Sequence, residues 1–216
     1  RLNGWMWSGE DSKWPNANLT VDPSRDGWYD EVLRGYLTAC HERGLRVNLS
    51  SGDMNNWSRP QMEEGFRRTA QIAASVSQEL VWLGAVTNEL RGTMQGGESD
   101  ENIRLCEHLL GIWQQHYPWS MRAISDPGSQ DKAGMRRLAG GVANCALIHD
   151  VRWETTDAIR RAFNTMYENF PDEPVVQDEP TGPNGSPPHG PFTRHVYQPI
   201  EDHDDLLAIY TMHVIT

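Results

Sequence analysis

Two glutamates stand where apolar, strand-like runs end: Val81-Trp-Leu-Gly-Ala-Val-Thr-Asn88-Glu89 and Pro174-Val-Val-Gln-Asp178-Glu179. A pair of carboxylates facing across a cleft is the minimum equipment for cleaving a glycosidic bond. One protonates the departing oxygen, and the other attacks the anomeric carbon or activates water. Other polar residues also close strand-like runs: Asp53, Asp126 and His149. These are types that hydrogen-bond sugar hydroxyls, and equally types that form turns. Asp126, His149, Asp150 and Asp178 could ligate a metal, but neither His-x-His nor His-Glu-x-x-His spacing occurs, so a metal-dependent hydrolase is the weaker alternative and no cofactor is expected. Trp7, Trp57 and Trp153 lie on or just after strand ends, where a flat indole face can stack on a sugar ring. Trp82 and Trp113 fall inside apolar stripes and read as packing.

The elements that must hold these residues alternate. Residues 26–43 carry Trp28, Val32, Leu33, Tyr36, Leu37 and Cys40 on one helical stripe, with Gly44 as the stop. Strand 45–50 alternates Leu45, Val47 and Leu49 with polar residues. Helix 60–79 follows, Pro60 being tolerated in a first turn, and then the apolar strand 80–87. Helices at 100–116, 131–138 and 154–169 are interleaved with strands at 119–125, 143–149 and 174–178. Residues 1–7 suit a further strand, 182–192 a Pro/Gly-rich loop and 202–215 a last helix.

Repeated strand–helix units imply a parallel sheet, because parallel neighbours need crossover connections. The repeat of about 32 residues matches an eight-unit (β/α)8 barrel of roughly 250 residues. At that rate 216 residues supply about six units, so the α/β barrel is expected to be incomplete. No glycine-rich phosphate-binding turn follows any strand, which disfavours an open nucleotide-binding sheet. Residues 1–216 read as one domain.

With Asn88-Glu89 ending one strand and Glu179 ending another three units later, the chain resembles the retaining glycosidases of clan A. Those TIM barrels carry the acid/base after an Asn on strand four and the nucleophile on strand seven. The resemblance covers essentially the whole chain. It implies that Glu89 is the acid/base, Glu179 the nucleophile, and residues 1–7 strand two. Arg1 resembles the arginine the family places near the nucleophile, and His149 its His or Tyr beside it. Trp7-Ser8-Gly9-Glu10 and His41-Glu-Arg-Gly-Leu-Arg-Val47 are similar to the region between strands two and three. The chain departs from the pattern where Leu90 and Arg91 follow Glu89 in place of the frequent Pro, and where Asp178 adjoins Glu179. On this alignment strands one and eight would lie outside the chain, as in a fragment of a longer protein with other domains.

Composition bounds the partners. Against 19 Lys plus Arg stand 30 Asp plus Glu, a formal charge of -11, which supplies no basic footprint for nucleic acid and none for an anionic membrane. No apolar run approaches the roughly 20 residues of a membrane span, and nothing resembles a leader segment. Cys40, Cys106 and Cys145 are unclustered and read as buried thiols. Asn18, Asn48 and Asn56 begin glycosylation sequons, a short pattern that arises often by chance. The expected partner is an oligo- or polysaccharide, with Asn88, His149, Trp57, Trp153, Asp53, Asp126, Trp7 and Arg1 as binding residues. The alternative is a barrel module that binds carbohydrate or serves a structural role without turnover.

Overall fold

The computed structural model describes residues 2–3, 27–51, 54, 57–87, 90, 96–126, 132–148 and 164–177. Strands β1 (Leu2–Asn3), β2 (Val47–Ser50), β3 (Val81–Val86), β4 (Met121–Asp126), β5 (Ala146–Ile148) and β6 (Val175–Gln177) alternate with helices α1 (Gly27–Glu42), α2 (Arg59–Val76), α3 (Asp100–His116) and α4 (Ala133–Gly140). Residues 164–169 are also helical. The six strands form one parallel sheet in sequential order, β1-β2-β3-β4-β5-β6. That order has a consequence for layering. Each right-handed crossover steps to the next strand on the same side, so the helices gather on one face of the sheet and leave the other face to close on itself. The helices do pack side by side, α1 on α2, α2 on α3 and α3 on α4. Over the described residues the alternation expected from the sequence is the one observed, and the expected loop 182–192 and helix 202–215 lie outside them.

The two sheet faces carry separate apolar clusters. Register places Leu83 and Ala85 beside Met121 and Ala123, and Ser125 beside Leu147, which in turn pairs with Val176. Leu83, Ala85, Ala123, Cys145 and Leu147 form the inner cluster, with Trp82, Met121 and Val176 packed against it. The larger outer cluster joins Leu49 and Val86 to Leu37, Phe66, Leu109, Trp113 and Tyr117 of the helical layer. Burial of such side chains is worth about 1.5–3 kcal/mol each relative to exposure. Cys40, Cys106 and Cys145 are free and buried; the apolar setting pushes the Cys106 thiol up, out of reach of the thiolate form.

Local signals set most boundaries. Gly44, with φ +66, ends the turn after α1 in the left-handed region that glycine enters without a Cβ penalty. Ser58 precedes α2, and both its N–H and its hydroxyl donate to Gln61 Oε1, at 3.0 and 2.7 Å, so the Gln61 side chain folds back over the start of the helix. In α3 the Ser99 hydroxyl accepts from Asn102 N–H at 3.2 Å. Between α1 and α2, the buried Tyr29 hydroxyl lies 2.7 Å from Thr69 Oγ1, and burial raises its pKa.

Three details depart from expectation. The buried stripe of α1 is Tyr29, Leu33, Leu37 and Cys40, whereas Val32 and Tyr36 stand 46% and 43% exposed. α1 packs mainly on α2 through that narrower stripe. Strand β4 begins at Met121, with Trp119 exposed and set edge-on against the Tyr117 ring. α4 is left-handed: φ is +53 at Ala133 and Arg136, +48 at Arg137, +46 at Leu138 and +43 at Ala139. Leu138 and Ala139 are buried on this segment, and Arg136 and Arg137 pair with Asp100 and Glu173 at its surface.

Tyr117 ties the layers together. Its buried hydroxyl donates to Ser77 O at 2.8 Å and accepts from Val81 N–H at 3.0 Å, joining the residue that caps α2 to the first residue of β3. Tyr117→Phe leaves that buried N–H without its acceptor. We expect a loss of about 1–3 kcal/mol, read as a lower denaturation midpoint at unchanged slope in urea.

Candidate functional site at the carboxyl edge of the sheet

In a singly wound parallel sheet the loops leaving the carboxyl ends of the strands build the site. At that edge the ends of β2, β3 and β4 are laced together by small hydroxyls. Thr87, directly after β3, is the centre. Its N–H donates to Ser51 Oγ at 2.7 Å, its hydroxyl donates to Ser125 O at 2.9 Å, and its carbonyl accepts from Ser50 Oγ at 2.6 Å. Ser51 N–H in turn donates to Ala85 O at 3.1 Å, and Ser51 Oγ lies 3.7 Å from the Met54 sulfur. Ser50, Ser51, Thr87 and Ser125 are all 0% exposed.

Thr87 also has φ +66. A β-branched residue in that region is a genuine outlier, costing about 1–2 kcal/mol. Such strain persists where its surroundings over-determine it, and three hydrogen bonds to two neighbouring strands do so here. The next two residues in the chain are Asn88 and Glu89, followed by Leu90, which is fully buried in the outer cluster.

Further out, ionic contacts join the loop after β3 to the segment after β4. Glu98 Oε2 lies 3.9 Å from Lys132 Nζ, and Asp100 Oδ1 accepts from Arg136 at 3.0 Å. Hydrogen bonding from Arg136 holds the Asp100 carboxyl below its ordinary range. Asn102 Nδ2 donates to Gly97 O at 2.7 Å and fixes the approach to α3.

Of the residues expected to act, Asn88, Glu89, Glu179, Asp53, His149, Trp153, Trp7 and Arg1 lie outside the described residues. Asp126 is the last residue of β4 and pairs in register with Ile148. Trp57 is 8% exposed and belongs to the outer core cluster, with no hydrogen-bond partner for its indole N–H. In this conformation its ring is packed, and a stacking face is not presented. Asn48 occupies the inner face of β2, buried, with Oδ1 unpartnered. That burial removes the Asn48 sequon as a glycan acceptor in the folded chain. Among the described residues no group of three or more metal-ligating side chains converges, and no helix is long and apolar enough to cross a membrane.

In the sequence, Ser50-Ser51, Thr87 and Ser125 put hydroxyls at three successive strand ends, while nothing local marks the left-handed turn at Thr87 or the bonds that link them.

Neither protein-family models nor curated proteins match the chain. Solved structures do. A glycoside hydrolase family 5 enzyme from Prevotella bryantii superposes with a TM-score of 0.53 at 8% identity, over 74% of this chain and 58% of that one. The endoglucanase Cel6 from Mycobacterium tuberculosis, solved with methyl-cellobiosyl-4-deoxy-4-thio-β-D-cellobioside, gives 0.58 at 12% identity, over 81% and 64%. The GH53 catalytic domain from Ignisphaera aggregans gives 0.52 at 13%, over 74% and 53%. The chain thus spans between half and two thirds of each of these structures. At such identities the likeness is one of fold, and the fold is that of the glycoside hydrolase barrels, with six parallel strands described here in sequential order.

Proposed function

We propose that this chain carries the catalytic face of a retaining glycoside hydrolase acting on an oligo- or polysaccharide. The observation that supports this reading most is the sequential order of β1 to β6 in a sheet of glycosidase type. Glu89 follows the third strand of that sheet and Glu179 follows the sixth. Three steps around an eight-stranded barrel bring two strand ends to nearly opposite sides of one opening, the arrangement a sugar ring needs between two carboxylates.

In the proposed reaction Glu179 attacks the anomeric carbon while Glu89, protonated, gives its proton to the departing oxygen. The glycosyl–enzyme ester is then cleaved by water, with Glu89 taking a proton from it. Asn88, Asp53, Asp126 and His149 would hold the sugar hydroxyls, His149 and Arg1 would keep Glu179 ionised, and Trp7 and Trp153 would stack on the ring. Trp57 serves that stacking only if its loop turns the packed indole outward.

The stereochemistry of the first-formed product tests the reading. Proton NMR of aryl glycoside and oligosaccharide hydrolysis should show the product anomer with the configuration of the substrate. Inversion would assign Glu179 to water activation. Binding of oligosaccharide without any turnover would favour the carbohydrate-binding module.

A further inference from the structure

The hydroxyl lacework around Thr87 is more than a strand end requires. A strand that merely stops needs no left-handed β-branched residue, and a turn that merely needs positive φ takes glycine without strain. Here a threonine is kept in that conformation by Ser50, Ser51 and Ser125, drawn from both neighbouring strands. The lacework fixes all three of its polar groups, N–H, C=O and hydroxyl. One residue beyond Glu89, Leu90 is fully buried. The two residues that the glycosidase reading singles out on this strand are therefore bracketed by two fully buried anchors.

We propose that Thr87 is a positioning residue: its strained, triply hydrogen-bonded turn fixes the end of β3 from which the chain continues to Asn88 and Glu89, and so orients the acid/base of the proposed reaction. Thr87 touches no substrate in this role. It acts through Glu89: a fixed strand end narrows the conformations open to the residues that follow it, and a donor placed in advance spares the reaction an ordering cost. Ser51 is its partner from β2, since the Ser51 hydroxyl is the acceptor of the Thr87 N–H and holds the turn from outside the strand. The inference rests on Glu89 being the acid/base.

Thr87→Val keeps the branched shape and deletes the bond to Ser125. Ser51→Ala deletes the acceptor of the Thr87 N–H and leaves Thr87 itself unchanged. Each variant, with Thr87→Ser and Glu89→Gln, is assayed on two aryl glycosides of the same sugar, one with a leaving group that needs protonation and one that departs as a stable phenolate. For Thr87→Val and Ser51→Ala we expect kcat on the first substrate to fall at least tenfold with KM within twofold. The second substrate should be far less affected, and Thr87→Ser should restore the wild-type ratio. A misplaced donor changes that ratio, whereas partial unfolding lowers both rates together. If Glu89→Gln is impaired while Thr87→Val and Ser51→Ala keep the wild-type ratio, the positioning role is overturned and the glycosidase reading stands. A Glu89→Gln variant as active as the wild type, or a wild-type chain without turnover, overturns both. Ser51→Ala decides the matter should Thr87→Val fail to fold.

Discussion

Replacing Glu179 by Gln is expected to stop turnover of every glycoside, and replacing Glu89 by Gln to stop turnover selectively. The asymmetry follows from the proposed chemistry. Without a nucleophile no glycosyl–enzyme ester forms, whatever the leaving group, so Glu179→Gln should lose at least as much as the acid/base variant on all substrates. Glu89→Gln removes general acid catalysis, an effect on the order of 10²–10⁴-fold in kcat. That loss should be large when the departing oxygen needs a proton and small in the first step when a stable phenolate leaves. With such a substrate, ester formation outruns its hydrolysis, because the base that activates water is also missing. A burst of phenolate followed by a slow steady rate is then the expected signature. The pH profile separates the two as well. In the wild type, kcat/KM should fall at low pH as Glu179 protonates and at high pH as Glu89 loses its proton. Glu89→Gln should abolish the alkaline limb and leave the acid limb. Full activity of either variant on a substrate with a poor leaving group would remove that residue from the mechanism.

How much of this was legible in the sequence depends on which physical signal each element carries. The units between 45 and 148 are readable because their strands are short apolar or alternating runs and the long helices show a 3.6-residue stripe, with Gly44 marking the end of the first helix and Pro60 the start of the second. Burial at β2 is not. Asn48 and Ser50 alternate with Val47 and Leu49 like the wet face of a two-layer sheet, yet all four are buried. In a sheet that curls on itself the polar alternates face an interior, not water, and a local pattern carries no information about closure. The width of the α1 stripe misled for a related reason, because Val32 and Tyr36 are apolar but nothing in the chain's periodicity says which neighbours a helix will meet. Thr87 shows the limit most sharply. As the last residue of an apolar run it reads as strand, and its positive φ is held by the Ser50 and Ser51 hydroxyls and the Ser125 carbonyl, 36 to 38 positions away in sequence. Glu89 and Glu179 are marked by a purely local motif, a strand end followed by a carboxylate, and both lie outside the described residues.

β3, the strand that leads to Glu89, also contains the position where a single added methyl should be felt most. A Cβ at Gly84 would lie 2.7 Å from Trp113 Cε2, 2.8 Å from Nε1 and 3.1 Å from Cζ2. Propensity alone favours replacement, because glycine inside a strand costs roughly 0.5–1 kcal/mol relative to alanine. Contact decides the sign the other way. The Trp113 ring is 1% exposed, its indole N–H donates to Ser120 Oγ at 2.9 Å, and the Tyr117 ring stands 5.8 Å away at 52°. The indole cannot withdraw without breaking that bond or displacing Tyr117, which itself joins α2 to β3. Gly84→Ala is therefore expected to cost about 1–3 kcal/mol as an overpacked core, and the larger Gly84→Val more. Trp113→Phe, which removes the crowding atoms, should be destabilising by itself through the space it leaves. Combined with Gly84→Ala it should cost less than the sum of the two, with a coupling of about 0.5–3 kcal/mol. Urea denaturation of the four chains supplies all the terms. A Gly84→Ala chain as stable as the wild type would mean that the indole moves freely, and that the close approach of α3 to β3 does not depend on the missing side chain.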